Sequence, residues 1–385
     1  MLLKSLKLSG LLSFAPDSPA TELGPLNLLI GPNASGKSNF IEAVGLLRAT
    51  PQNLGDALRE GGGMQDWLWK GDADAHGEID ALLSYNKSWS LRHRLVLAQV
   101  GQKLELVDER IEDAETKAGK SKPYLYFGYE NNRPMLNVKQ EKRTLRREDL
   151  DPQQSVLSQR KDPDQYPELS FLGDAYQRVR LYRDWRMGRD APPRRPQDAS
   201  LPNDYLMEDA RNLGMVLSSL RLNVPVKKAL IEALRQVFDG ITDFSVKIEG
   251  GTVQVFLEEE RWLIPATRLS DGTVRWLALL SVLLHPKPPP LVCIEEPEIG
   301  LHPDLMPTLA RLLTQASERM QLIVTTHSEA LINAFTDAPD NVLVCERVDG
   351  CTTLKRLEKE ALSEWLELYS LGELWSKGEL GGTRW

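Results

Sequence analysis

Cysteine is scarce in this chain: Cys293, Cys345 and Cys351 are the only three in 385 residues. An odd, sparse set with no CxxC pair speaks against a disulfide framework and for a reducing compartment. The five histidines are scattered along the sequence, so no zinc-ligand spacing emerges. Long apolar runs are also missing. The longest lies near Trp276–Leu284, far short of the ~20 residues a spanning helix needs. The N-terminus, MLLKSLKLSG, lacks the apolar core of a signal peptide. The expectation is a soluble cytoplasmic protein with no membrane contact. Nor is there an excess of positive charge: 55 acidic against 47 basic residues leave a net charge of −8. The overall field of such a chain does not draw it to nucleic acid, so any such contact needs a local basic patch. Internal repeats, low-complexity tracts and sustained heptads are absent.

What remains is ordinary globular composition, 41% hydrophobic and 26% charged, with enough chain for one large domain or two smaller ones. Residues 2–9 alternate and read as an edge strand. Residues 26–30 (LNLLI) are continuously apolar, as in a strand buried on both faces. Helical spacing follows over 37–48. Strand-like pieces come at 78–84, 90–98 and 103–107, then a polar stretch, 108–122, that reads as a loop. Within the proline- and arginine-rich 123–200, a helix is expected at 168–178 and a strand at 179–186. Helical periodicity returns over 205–222 and 225–238. Gly250-Gly251 and Asp349-Gly350 each sit between strand-like runs and predict hairpins. Helices over 273–284, 303–318 and 359–370 alternate with apolar strands 291–295 and 321–325. That alternation implies an α/β core with parallel strands.

Four motifs carry chemistry. Residues 31–38, GPNASGKS, match GxxxxGK[ST] between a buried strand and a helix. Glycines there let successive N–H groups face phosphate oxygens, and the helix N-terminus adds positive partial charge. Gly31, Pro32, Asn33, Ala34, Ser35, Gly36, Lys37, Ser38 and Asn39 are the expected ATP-binding residues. Lys37 would reach the β- and γ-phosphates, and the Ser38 hydroxyl would ligate Mg²⁺. Residues 291–296, LVCIEE, end an apolar strand in two carboxylates, at the sheet edge where α/β folds bind ligands. Glu295 is the expected metal ligand and Glu296 the residue that polarises attacking water. TTHS at 325–328 puts His327 just past the next strand, where it can donate to a γ-phosphate. LSDGT at 269–273 opens a helix, with Ser270 and Asp271 as natural caps or as part of an anion site.

The order GPNASGKS, LSDGT, LVCIEE, TTHS resembles the Walker A, signature, Walker B and switch-histidine order of ABC-type ATPases. LSDGT departs from the LSGGQ signature at two positions. EEPEIGLHP (295–303) is similar to the RecF, SMC and OLD branch of that superfamily, not to transporter subunits. The resemblance implies a P-loop ATPase head of α/β class, with a parallel-strand core, an antiparallel β part and a helical signature subdomain. Residues 1–385 form one head: 1–85 and 264–358 the nucleotide-binding core, 86–263 an inserted β and helical lobe, 359–385 a C-terminal helix and tail. It also implies ATP and Mg²⁺ as ligands and a homodimer closing on two ATPs. Residues 31–38 of one copy would then face Ser270, Asp271 and Gly272 of the other. A Q-loop glutamine belongs to the pattern, with Gln65 and Gln154 as candidates.

No coiled coil interrupts the motifs, which excludes a long DNA-tethering arm, and no TOPRIM nuclease signature follows His327. An effector nuclease, in phage defence, would then be a separate chain. Residues 176–196 hold seven arginines interleaved with Tyr176, Tyr182 and Trp185. That composition suits a nucleic-acid backbone or a solvated face. Arg178, Arg180, Arg183 and Arg186 are the candidate DNA contacts, and 139–147 a possible extension. A RecF-like repair ATPase and a nucleotide-gated scaffold with little hydrolysis stand as alternatives.

Overall fold

The structure is a computed structural model describing all residues except 72–75, 87, 102, 117–118, 131–132, 139–140, 145–149 and 383–385. For residues 64–65, 103–104, 130, 138 and 141–144 only the backbone is described. Contacts divide the chain into two compact units: Met1–Val179 with Leu343–Arg356 and Leu380–Trp385, and Arg180–Val342 with Leu357–Glu379.

The first unit holds an eight-stranded antiparallel sheet, in the order β2-β1-β4-β5-β6-β7-β8-β9. Its strands are β1 (Leu3–Ser9), β2 (Thr21–Glu22), β4 (Gly77–Ser84), β5 (Ser90–Val100), β6 (Lys103–Asp113), β7 (Leu125–Glu130), β8 (Arg133–Val138) and β9 (Glu141–Thr144). The expected edge strand β1 is interior, because the short β2 covers its free side. The strands from Ser90 onward extend the sheet that β1 begins. In β4 every second residue is buried, the period of a sheet packed on one face.

Within the expected loop at 108–122, residues 108–113 belong to strand β6, because acidic residues there are buried with partners from distant segments. Glu109 receives hydrogen bonds from Ser155 Oγ and the Val156 N–H and lies 3.0 Å from His93 Nε2. Asp113 accepts from Tyr126 Oη at 2.7 Å. A carboxylate taken out of water is tolerated when it is paired and hydrogen-bonded in this way.

Beside this sheet runs β3 (Leu26–Ile30), every residue buried, next to the antiparallel hairpin β17 (Val342–Val348) and β18 (Cys351–Arg356). Helices α1 (Lys37–Ala49), α2 (Leu54–Glu60), α3 (Met64–Trp67), α4 (Val156–Gln159) and α5 (Pro167–Gln177) complete the unit.

The second unit contains three parallel strands, β10 (Arg180–Tyr182), β15 (Leu291–Glu295) and β16 (Gln321–Thr325), in register so that Glu295 stands beside Thr325. The expected strand 179–186 is only three residues long, because Tyr182 and Trp185 turn into the core. A second, antiparallel sheet comprises β11 (Gln197–Asp198), β12 (Ile241–Glu249), β13 (Thr252–Glu259) and β14 (Trp262–Pro265).

The helices are α6 (Leu213–Leu220), α7 (Val224–Arg235), α8 (Asp271–Leu283), α9 (Met306–Ser317), α10 (Glu329–Asn333), α11 (Ser363–Leu366) and α12 (Leu371–Ser376). From Thr273 on, every residue of α8 but Arg275 is buried, as in a helix through the middle of a core. The expected helix 359–370 is broken into a 3₁₀ turn and α11. A capping box between Ser370 and Glu373 then starts α12 afresh. Among the described residues no helix is long and apolar enough to cross a membrane.

Candidate active site

The phosphate-loop candidate belongs to the first unit. Residues 31–38 leave the buried strand β3 through three left-handed positions, Gly31 (φ 150°), Ala34 (φ 61°) and Gly36 (φ 106°), and enter α1. The hairpin β17–β18 backs the loop. Thr352 Oγ1 donates to the Ser35 carbonyl at 2.8 Å, and Cys345 Sγ lies 3.2 Å from the same oxygen. Ser13 joins the brace, bonded to Thr352 Oγ1 and to Asn39 Nδ2 at 2.7 Å each.

Two glycines are required sterically. A Cβ at Gly31 would lie 2.1 Å from the Cys345 carbonyl oxygen, and one at Gly36 would lie 2.1 Å from Thr352 Oγ1. Lys37 is 6% exposed, and its ammonium donates to the carbonyls of Gly31 and Pro32 at 2.9 and 2.8 Å. Ser35 Oγ is buried with no partner among the described residues, and no side chain caps α1. An uncapped helix start, an orphaned hydroxyl and an ammonium held at the loop suit a polyphosphate anion. Of the two Q-loop candidates, Gln154 is engaged locally: it accepts from the Leu54 N–H and donates to Asn53. The Gln65 side chain lies outside the described residues.

The carboxylate cluster belongs to the second unit. Glu295 closes β15 with its side chain 15% exposed, and Arg183 Nε donates to it at 2.6 Å. Glu296 has a left-handed backbone (φ 46°), uncommon for a residue with a side chain. Its N–H donates to the Thr325 carbonyl at 3.0 Å. Its Oε1 stands 3.8 Å from His327 Nε2. The turn thus directs a carboxylate and an imidazole to one place at the C-terminal ends of parallel strands.

Glu298, which the family resemblance places in an interface loop over Glu298–Leu301, organises the turn after β15. Its Oε1 accepts from Thr326 Oγ1 at 2.5 Å and from the His327 N–H at 2.9 Å, while Oε2 is buried without a partner among the described residues. Burial holds this carboxyl above the ordinary carboxylate range, against those hydrogen bonds. The sign follows from linkage. A carboxyl with a raised folded pKa favours the fold below the unfolded value, about 4.3, and that contribution is lost as pH rises through its folded value. Glu298→Gln keeps the Oε1 acceptor and removes the ionisation. Its urea midpoint is expected to rise relative to wild type between about pH 5 and pH 8 and to converge with it near pH 4. A constant offset across that range would count against a raised pKa.

The signature half-turn is fixed from the same unit. Ser270 caps α8, accepting from the Thr273 N–H at 3.1 Å. Asp271 does not cap; it pairs with Arg194. Arg194, read from the sequence as part of a basic surface, is instead 6% exposed. It also donates to the carbonyls of Met187 (2.7 Å), Ala266 (3.2 Å) and Leu269 (2.6 Å). A Cβ at Gly272 would fall 2.3 Å from the Gly300 carbonyl oxygen, so the 296–301 loop lies against the first turn of α8. Arg275 on that helix donates to the Trp185 carbonyl at 2.8 Å.

The arginine segment is corrected in its aromatic half. Tyr176, Tyr182 and Trp185 are buried, at 1%, 2% and 6% exposure, and offer no stacking face to a nucleobase. Arg178, Arg183 and Arg186 are exposed, and Arg180 is half-buried over the Tyr205 ring. Arg186 pairs with Asp184. The run 139–147 lies outside the residues whose side chains are described.

Residues 26–333 match the family model described as "AAA domain, putative AbiEii toxin, Type IV TA system". The chain belongs to this family. No curated protein matches it. Among solved structures it is similar to an Smc head bound to the C-winged helix domain of ScpA. The identity is 15%, the match covers 94% of this chain and 99% of that one, and the TM-score is 0.60. It is also similar to an Smc head domain with an extended coiled coil, bound to the C-terminal domain of ScpA derived from Pyrococcus furiosus. There the identity is 14%, the coverage 95% and 99%, and the TM-score 0.56. This member of the AAA-domain family therefore has the fold of an SMC head, the ABC-type P-loop architecture that the motif order implies.

Ser13, Arg275 and Thr352 have no sequence signal, and Arg194 and Glu298 read from the sequence as surface and interface residues. Each acts through a backbone atom or a partner far along the chain, which no local spacing records.

Proposed function

We propose that this chain binds ATP on residues 31–38, hydrolyses it and pairs with a second copy as it does so. Lys37 neutralises the β- and γ-phosphates, and the loop N–H groups orient them. Ser38 and Glu295 are the residues that would hold Mg²⁺, which would supply neutralisation of phosphate charge. Glu296 orients the attacking water, and His327 donates to the γ-phosphate. Ser270, Asp271 and Gly272 serve the nucleotide of the second copy. Arg194 offsets the Asp271 charge, so a carboxylate in the signature is compatible with an anion there.

One observation carries the hydrolytic reading: the left-handed Glu296, with its carboxylate 3.8 Å from His327. Backbone strain of this kind, about 1–3 kcal/mol, persists where surrounding structure holds it, typically at functional sites.

ATP-driven pairing then governs a DNA-directed process, through a separately encoded nuclease or other effector, as in phage defence. The toxin–antitoxin description of the family favours a defence role. Smc heads solved with ScpA domains favour a head that works with a second protein. The buried aromatics leave direct DNA contact to exposed arginines, Arg178, Arg183 and Arg186 among the candidates. The test is steady-state ATP turnover with and without double-stranded DNA, with light scattering to follow mass. Turnover with an ATP-dependent doubling of mass is expected. DNA stimulation would favour the RecF-like alternative, and binding without turnover the scaffold.

A further inference from the structure

The glycine-rich end of the chain returns to the phosphate loop. Gly381 and Gly382 are both left-handed, with φ of 79° and 62°. The Gly382 N–H donates to Glu346 Oε1 on β17 at 2.5 Å. A Cβ on Gly381 would lie 2.6 Å from the same oxygen and 3.0 Å from its carboxyl carbon. One on Gly382 would lie 3.1 Å from Val344 Cγ1 and 3.5 Å from Gly31 Cα. Gly31 is thus a close neighbour of the tail turn, near enough that a Cβ on Gly382 would touch it, and its own missing Cβ makes room for the Cys345 carbonyl. In sequence the two glycines look like a loose end. In the fold, a side chain at Gly381 would displace the Glu346 carboxylate, and both positions have a backbone conformation that favours glycine.

We propose that Leu380–Gly382 is a working part of the nucleotide-binding loop: a brace, keyed by Glu346, that fixes the loop at Gly31 and so sets nucleotide affinity. The inference rests on the ATP-binding reading above. A phosphate loop binds through preorganised N–H groups, and any backbone freedom restored to it must be removed again on binding. Ordering one more residue in this way weakens affinity by roughly tenfold. Glu346 and the tail are positioning elements, since neither supplies a group to the phosphates.

The full chain and its Gly381→Val and Glu346→Ala variants test this, with Glu379→Ala as an exposed tail control. Two quantities are read: hydrogen exchange of the 28–40 segment without nucleotide, and the Mg·ATP dissociation constant by calorimetry. Faster exchange in that segment, with α8 unchanged, and roughly tenfold weaker ATP binding in both variants but not the control are expected. Wild-type ATP binding with unaltered loop exchange or unaltered affinity in both variants overturns the brace and leaves the ATP reading intact. Failure of the wild type to bind ATP overturns the ATP reading, and this proposal with it.

Discussion

Glu296→Gln is expected to stop ATP turnover while leaving nucleotide binding in place. The amide keeps the size and one acceptor of the carboxylate but cannot draw a proton from water. A positioned general base contributes roughly 10²–10⁴-fold to rate. The phosphate loop, which supplies binding, is untouched by the change. Its glycines, Lys37 and orphaned Ser35 hydroxyl are set by β3, α1 and the β17–β18 hairpin. A fall in kcat of at least about 10²-fold with an unchanged ATP dissociation constant is therefore the result to look for. A variant that loses binding and turnover together would place Glu296 in the structure of the loop, not in the chemistry. Turnover at the wild-type rate would remove it from the mechanism.

Arg194→Met should be the most destabilising single change in the arginine-rich segment. The sequence alone counts Arg194 with its neighbours as a solvated cation, for which substitution costs within about 0.5 kcal/mol. In the fold its guanidinium is buried and serves the carbonyls of Met187, Ala266 and Leu269 together with Asp271. Methionine fills the volume and strands those acceptors, at about 1–3 kcal/mol for each one left buried and unsatisfied. A loss of about 3–5 kcal/mol in urea unfolding is expected, against little change for Arg186→Met on the exposed side. Arg194→Lys should recover little, because an ammonium cannot reproduce the fork that spans these acceptors. Since Leu269 and Asp271 flank Ser270, ATP-dependent pairing should weaken even under conditions where the variant stays folded. A loss of less than about 1 kcal/mol would mean that the carbonyls find water instead.

The sequence by itself determined the parts of this protein whose chemistry is local. A glycine loop between a buried strand and a helix, and an apolar strand ending in two carboxylates, are written in consecutive residues. Spacing there records geometry directly, so GPNASGKS links β3 to α1, and LVCIEE and TTHS carry the chain out of β15 and β16. The hairpins around Gly250-Gly251 and Asp349-Gly350 were legible for the same reason: a two-residue turn fixes its own register.

The tertiary structure decided everything that depends on a distant partner. Polar 108–113 is strand because His93, Ser155 and Tyr126 come to its carboxylates. Tyr182 and Trp185 are core because strand β10 and the chain after it turn inward, and Tyr176 is core on α5 with its hydroxyl 3.1 Å from His93. Arg194 is a clamp because the signature turn presents carbonyls to it, and Gly381-Gly382 is a fitted turn because Glu346 and Gly31 stand beside it. In each case residue type fixes what a side chain is able to do, and burial against groups far along the chain fixes which of those things it does.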